Sequence, residues 1–414
     1  MMDTLRPDHL GIYGYVRDTS PAIDALAKRG AVFTSAYSVS NWTNPTIKSI
    51  FTGLSPQAVM REAWHKEAIK MPLPEEVTTF AELAKKRGYR TAALVDHPGI
   101  GPHTNFNQGF EHYTMLFNEG AKGRGVWGKS DVDYVANQFG ERLDEYLNDP
   151  FLIYLHIVYP HRPYQAPSPY QGMFGLDSYA DYSKSIRGPI INAYDAEIRR
   201  TDDLVAEVTQ ALESRGLLED TWIILLSDHG EGFWEHGFGE HGTLFYDEAI
   251  KVPLIIVPPK GQQRGSERVD TPVSNLDVFA TILDIAGIPL PEGTMSFSLM
   301  DSGSPARKNS SRILFSESAH SYDIQARTVI RDGLKYSNYP SRPKSRRNYL
   351  FNLRKDPFEL KNLYGTKPDI QAKLQALLQE HREQSLLERE WLVQKIVDPD
   401  ERTLEGLRSL GYIQ

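Results

Sequence analysis

Short apolar runs alternate with stretches of helical spacing along most of the chain. Ser20-Pro21 followed by Ala22 to Gly30 predicts a short helix, with a cap, a Pro in the first turn and a terminal Gly. Ala31 to Thr34 begins an extended segment, and Pro45 is expected to start a helix that Gly53 ends, with Thr43 just ahead of it. Phe80 to Gly88 reads as a helix, Tyr89 to Val95 as a strand, Lys122 to Asp131 as a Gly- and Lys-rich loop, Asp131 to Leu147 as a helix and Phe151 to His156 as a strand. From Ile191 the apolar residues Tyr194, Ile198, Leu204, Val205, Val208 and Leu212 recur at helical intervals, which leaves Asp195, Glu197, Asp202 and Asp203 on an expected solvated face. Trp222 to Leu226 is a β-branched run expected as a buried parallel strand; Val252 to Val257 is a further strand and Ser274 to Gly287 a helix. This alternation predicts an α/β sandwich around a largely parallel sheet. Beyond Leu299 the pattern changes. Asp301 to Ser311 is a Ser-rich linker, and the strands at 313–315, 326–330, 334–339 and 349–353 predict a small antiparallel sheet closed by a helix from Pro368 to Glu390. The expected division is therefore 1–300 and 312–414, with 402–414 packing back on the body.

The chemistry concentrates where strands end. The apolar run at Trp222 stops in Ser227-Asp228-His229-Gly230-Glu231, with His236 and His241 close behind, and carboxyl ends of strands are where ligands bind in open α/β sheets. A carboxylate beside an imidazole suits a divalent cation or a phosphate; read blandly, Asp228 caps a helix and the histidines lie on the surface. Phe151 to His156 runs into Pro160-His161-Arg162-Pro163, a second strand end bearing a histidine. Thr43, beside a helix N-terminus, is placed either to meet an anion or simply to cap.

Charge and composition then exclude partners and chemistries. In 414 residues the net charge is −8, with no long basic run beyond Lys344 to Arg347, so nucleic acid is not expected as a partner. Cysteine is absent, which removes disulfides, thiolate ligands and any cysteine nucleophile. No segment has the length and apolarity to span a bilayer and residues 1–6 do not read as a signal peptide, so the chain as written reads as cytoplasmic with no membrane partner. Asp3 to His9 nevertheless reads like a loop that follows a strand, which makes the N-terminus look truncated.

These pieces resemble the sulfatase branch of the alkaline phosphatase superfamily. Asp3-Thr4-Leu5-Arg6-Pro7-Asp8-His9 is similar to its first metal loop, Thr43 to Gly53 to its nucleophile motif, Pro160 to Pro163 to its substrate-side histidine loop, and Ser227 to Glu231 to its second metal loop. Glu240-His241-Gly242 and Val252-Pro253 continue the match, and Leu350 to Leu353 with Asp356 to Leu363 resembles the C-terminal sheet. The resemblance implies an alkaline phosphatase-like three-layer sandwich, a sulfatase-like catalytic domain over 1–300 and a small α+β subdomain over 312–414. Four departures stand out, one being a single Asp3 followed by Thr4 in place of the usual acidic pair. Thr43 occupies the position of the Cys or Ser that sulfatases convert to formylglycine, and its Cβ methyl bars an aldehyde. Ile47 stands where sulfatases carry Arg, with Lys48 one step round the helix, and His241 stands where Lys is usual.

The substitutions resemble the phosphoesterase branches, which use Thr unmodified. What this implies is one divalent metal held by Asp3, Thr43, Asp228 and His229, a Thr43 nucleophile, and His161 and His241 bracing the ester oxygens or protonating the leaving group. His236 and His241 supply at most part of a second metal set. Zn or Mn fits mixed nitrogen and oxygen ligation better than Ca, and no formylglycine is expected. The expected substrate is a small or glycan-like anionic ester, first a phosphate or phosphonate, with a sulfuric ester cleaved by unmodified Thr43 as the alternative. A catalytically inert binding protein on the same fold is the reading from another class. Oligomeric state is not encoded in any motif.

Overall fold

The computed structural model describes residues 1–60, 71–118, 130–175, 187–262, 265–300, 304–309, 311–318, 326–389 and 399–410. The loop expected over 122–131 lies outside these as far as 129, as do 176–186, and 301–303 and 310 of the expected linker.

In chain order the body is built from α1 (Pro21–Ala27), β1 (Ala31–Phe33), α2 (Thr43–Thr52), α3 (Phe80–Lys86), β2 (Arg90–Val95), β3 (His112–Met115), α4 (Val132–Tyr146) and β4 (Phe151–His156). It continues with α5 (Arg187–Ser214), β5 (Ile223–Leu226), β6 (Leu254–Val257), β7 (Glu267–Val269) and α6 (Asp277–Ile285). Local chemistry sets the ends: Thr79 and Glu82 form a reciprocal capping box on α3, and Asp131 accepts from the Asp133 N–H at the start of α4. Helix α2 starts earlier than expected. Trp42 is its extended N-cap, so Thr43 is the first helical residue and Pro45 falls inside the first turn, where a missing N–H breaks no helical bond. Gly53, at φ 73°, closes α2 in the left-handed conformation.

The central sheet is mostly parallel, but not where the chain pattern placed its parallel strand. β2 pairs in parallel with β3 and β4, and β1 with β7, whereas β6 runs antiparallel to both β1 and β5. Parallel neighbours need a crossover to the far end of the sheet. The chain from Ser227 to Pro253 instead stays at the carboxyl end of β5, builds a loop there and re-enters the sheet as β6. Met2 bridges in parallel to Ile157 just past β4 and to Ser227 just past β5, so the order reads β7-β1-β6-β5-Met2-β4-β2-β3. β5 is half-buried over Ile223 to Leu225 rather than buried, while β6 is buried throughout.

Both faces of the sheet are covered, as its apolar runs demand. On β2, Ala93 and Val95 join a core with Phe51, Phe80 and Phe279 of α2, α3 and α6, while Leu94 faces Val135, Phe139 and Leu204 of α4 and α5. Helix α1 adds Ile23 and Leu26 against Tyr194 and Ile198. The three layers are the expected α/β sandwich.

The small sheet is an antiparallel meander of β8 (Leu314–Glu317), β9 (Arg327–Arg331), β10 (Leu334–Asn338) and β11 (Asn348–Asn352). One face packs on α7 (Pro368–Arg389) through Val329, Tyr336, Leu374 and Leu378; the other packs on Phe245, Tyr246 and Ile250 of the body. The Glu317 N–H donates to Val39 O at 2.8 Å and the Trp42 indole to Ser318 O at 3.1 Å, so the meander buttresses the segment that leads into Thr43. Helix α8 (Glu401–Ser409) does pack back, burying Leu407 and Leu410 beside Leu116 and Val135. No described helix is long and apolar enough to cross a membrane.

Candidate active site

The carboxyl ends of β2, β4 and β5, the first residues of the chain and the start of α2 converge on one buried point. Asp3 follows the Met2 bridge, Asp228 and His229 follow β5, His156 ends β4, and His97 lies just beyond β2; all are buried. Thr4 turns the chain here at φ 59°, a left-handed conformation that costs a β-branched residue and that the surrounding packing must hold. The turn aims the Thr4 N–H at Asp228 Oδ1, 3.2 Å away, and Oδ1 also accepts from the His229 N–H at 2.9 Å. Asp228 Oδ2 is thereby left facing the site, with no hydrogen-bond partner among the described residues.

Thr43 Oγ1 lies 3.2 Å from His229 Nε2, and that nitrogen lies 3.4 Å from Asp228 Oδ2 and 3.6 Å from Asp3 Oδ1. Because His229 Nδ1 is 2.9 Å from Gly230 O, it carries the proton and donates, so the Nε2 lone pair points at the other three groups. The carboxylate separations are too long for charge-assisted hydrogen bonds. The Asp228 separation matches instead the edge of a coordination polyhedron, roughly 3.0–3.4 Å for bonds of about 2.1 Å, and the Asp3 separation lies just beyond it. Together with the bare Asp228 Oδ2, this donor set fits a divalent cation. Burial lowers the His229 pKa to about 4, so the imidazole is neutral, the form a metal needs.

Two further histidines wall the same space. The His241 ring sits 4.4 Å from His229 and 5.0 Å from His161, centroid to centroid. His241 Nδ1 is 3.0 Å from Glu231 Oε1, and His161 Nδ1 donates to Arg162 O at 2.6 Å, so both rings turn Nε2 away from those anchors. Burial lowers the His241 pKa to about 4 and that of His161 well below the usual imidazole range, while it raises the buried Glu231 carboxyl to about 7.

The fold thus brings together Asp3, Thr43, His161, Asp228, His229 and His241. It separates His236, whose Nδ1 meets Glu248 at 2.6 Å and Nε2 meets Phe358 O at 3.0 Å while the ring stacks on Tyr246, so no second metal set forms from it. Lys48 is committed to Met71 O at 2.7 Å in the core and does not stand in for the family arginine. Of the acidic face expected on α5, Asp203 stays half-exposed, whereas Asp195, Glu197 and Asp202 are buried. Asp195 binds His9, Tyr15 and Arg17, Glu197 accepts from the Gln165 N–H, and Asp202 caps α1, because these carboxylates face buried donors across the helix packing. Sequence reasoning passed over His97, His156 and Glu231. One signal was available for two of them: Val95-Asp96-His97 and Leu155-His156 each close an apolar strand as Ser227-Asp228-His229 does.

Residues 1–288 match the family profile Sulfatase, and residues 234–384 the profile N-sulphoglucosamine sulphohydrolase, C-terminal. The chain belongs to the sulfatase family. Arylsulfatase K of Bos taurus is 27% identical over 417 residues, which covers 86% of this chain and 75% of that protein. A protein solved in complex with its substrate D-glucosamine-2-N,6-O-disulfate superposes with a TM-score of 0.74 at 18% identity, covering 94% of this chain and 98% of that one. The phosphonate monoester hydrolase of Agrobacterium radiobacter superposes at 0.71 and 20% identity, covering 93% and 94%. The alkaline phosphatase-like fold and a sulfatase-family hydrolase follow from these matches, and a divalent metal is general in the family.

Proposed function

We propose that this sulfatase-family chain cleaves a phosphate or phosphonate ester with unmodified Thr43 as nucleophile and one divalent cation held by Asp3, Thr43, Asp228 and His229. What carries the reading is Thr43 itself: a buried hydroxyl at the first position of α2, 3.2 Å from His229 Nε2, in a chain without cysteine. The bound cation supplies Lewis-acid charge that lowers the pKa of the Thr43 hydroxyl and offsets charge on the ester's non-bridging oxygens. Thr43 Oγ, its proton given up to water, forms the bond to phosphorus as the bond to the leaving oxygen breaks, and that oxygen departs with a proton from His241 or His161. An anionic ester beside the two imidazoles favours their protonated form, which burial alone opposes. Glu231, holding His241 Nδ1, fixes the ring with Nε2 toward the substrate. Water then hydrolyses the Thr43 ester.

A sulfate ester, cleaved through the same Thr43, is the second reading, favoured by the sulfatase relatives and by the disulfated sugar bound to a solved neighbour. That neighbour also supports a glycan-like anionic substrate. Residues 1–300 carry catalysis in either case, and 312–414 form the supporting subdomain. The test is turnover by metal-loaded protein on matched aryl phosphate monoesters, phosphodiesters, phosphonate monoesters and sulfate esters, with Thr43→Ala beside it. A phosphorus ester is expected to lead and Thr43→Ala to lose at least about 1,000-fold in kcat, with metal content largely kept by Asp3, Asp228 and His229. A leading sulfate ester would replace the substrate class, and full activity of Thr43→Ala would remove the nucleophile.

A further inference from the structure

We propose that His156 is a metal ligand through Nε2 and that it biases the site toward borderline ions such as Zn2+ or Mn2+ and away from Ca2+. The inference rests on the reading of Asp3 and Asp228 as metal ligands and adds a donor that the nucleophile and metal-loop motifs do not contain.

His156 is the last residue of β4 and is fully buried, and ligand atoms of Asp3, His156 and Asp228 all lie within 4.8 Å of one another. Its Nε2 has no hydrogen-bond partner among the described residues, nor has Asp228 Oδ2. An orphaned imidazole nitrogen beside an orphaned carboxylate oxygen is costly in a dry interior, and one cation answers both. The ring is also held for this purpose. Nδ1 lies 2.7 Å from the Tyr154 hydroxyl, two residues back on the same face of β4. Either tautomer can meet that hydroxyl; a cation selects the one in which Nδ1–H donates to Tyr154 and the Nε2 lone pair turns to the carboxylates.

His97 shows the contrast. Its Nδ1 accepts from the Gly99 N–H at 3.0 Å, so Nε2 carries the proton and faces Asp3 Oδ2 at 3.5 Å. It is an orienting neighbour of Asp3, while His156 is a donor. Two imidazoles, His156 and His229, in a set with two carboxylates move the site away from the all-oxygen ligation that Ca2+ prefers.

The experiment strips the full chain with a chelator and reloads it separately with Zn2+, Mn2+ and Ca2+. Affinity is read by competition with a chromogenic chelator, and metal content by mass spectrometry, for wild type, His156→Gln and Asp228→Asn. His156→Gln is expected to weaken Zn2+ by about tenfold or more while Ca2+ changes by less than about threefold. Unchanged Zn2+ affinity, or an equal loss for both ions, overturns the proposal. X-ray absorption on Zn-loaded wild type keeps it testable if the variant misfolds: two imidazole scatterers are expected, and one refutes it. If Asp228→Asn keeps its metal, the underlying metal-site reading fails; if Asp228→Asn loses metal and His156→Gln does not, only the role of His156 fails.

Discussion

At the scale of single residues, the candidate site commits one atom of each group to a hydrogen bond and turns another toward the shared space. Asp228 spends Oδ1 on two backbone N–H groups and keeps Oδ2; His229 spends Nδ1 on Gly230 O and keeps Nε2; His241 spends Nδ1 on Glu231. Such division fixes each ring and carboxylate before substrate arrives, which lowers the cost of organising the transition state. The His241 assignment follows from its place beside His161 and His229. His241→Ala is expected to slow esters with poor, high-pKa leaving groups by about 100-fold and to leave activated aryl esters nearly unchanged. A plot of log kcat/KM against leaving-group pKa checks this, and a uniform drop would assign His241 to binding. That Asp3, Thr43, Asp228 and His229 would meet at one place could be anticipated because each sits in a motif at a strand or helix end. His156 was passed over, because a histidine ending an apolar strand is only a weak signal until its neighbours across the sheet are known.

At the scale of elements, α5 departs most from its sequence pattern. Its apolar spacing correctly predicted a helix, yet Asp195, Glu197 and Asp202 are buried rather than solvated. A helical wheel marks polar residues as outward only when water is the best available donor. Here Arg17, Tyr15, His9 and the N-terminus of α1 are nearer. Asp202 receives the first N–H groups of α1, a capping role played from another helix. Burial pushes its carboxyl up to about 6, which offsets part of that gain. Asp202→Ala is therefore expected to cost about 1 kcal/mol, read as a lower urea midpoint at unchanged m-value. An unchanged midpoint would mean that water caps α1 equally well. Helix α2 shows a smaller departure: its start two residues early places Thr43 inside the helix because Trp42 is held extended as its N-cap, its indole bound to Ser318 O.

At the scale of the whole molecule, the candidate site is where three strand ends, the chain's first residues and α2 meet, so the carboxylates buried there are a cost to the fold until a cation offsets their charge. Chelation is expected to lower the melting midpoint, and reloading to restore it, with about 4 kcal/mol gained at a thousandfold excess over Kd. Calorimetry on stripped and loaded protein checks this; identical midpoints together with undetectable metal would reject a cation at this site.

The chain alone was enough for the α/β class, the helices, the small antiparallel meander and most of the side chains that the fold gathers at the candidate site, because periodicity, caps and strand-end motifs are local and need no partner. The antiparallel run of β6, the inward turn of the α5 carboxylates, the exclusion of His236 and the arrival of His156 beside Asp3 and Asp228 came only with the fold. Each depends on which segments lie side by side, and adjacency across a sheet is set by packing between residues far apart in the chain.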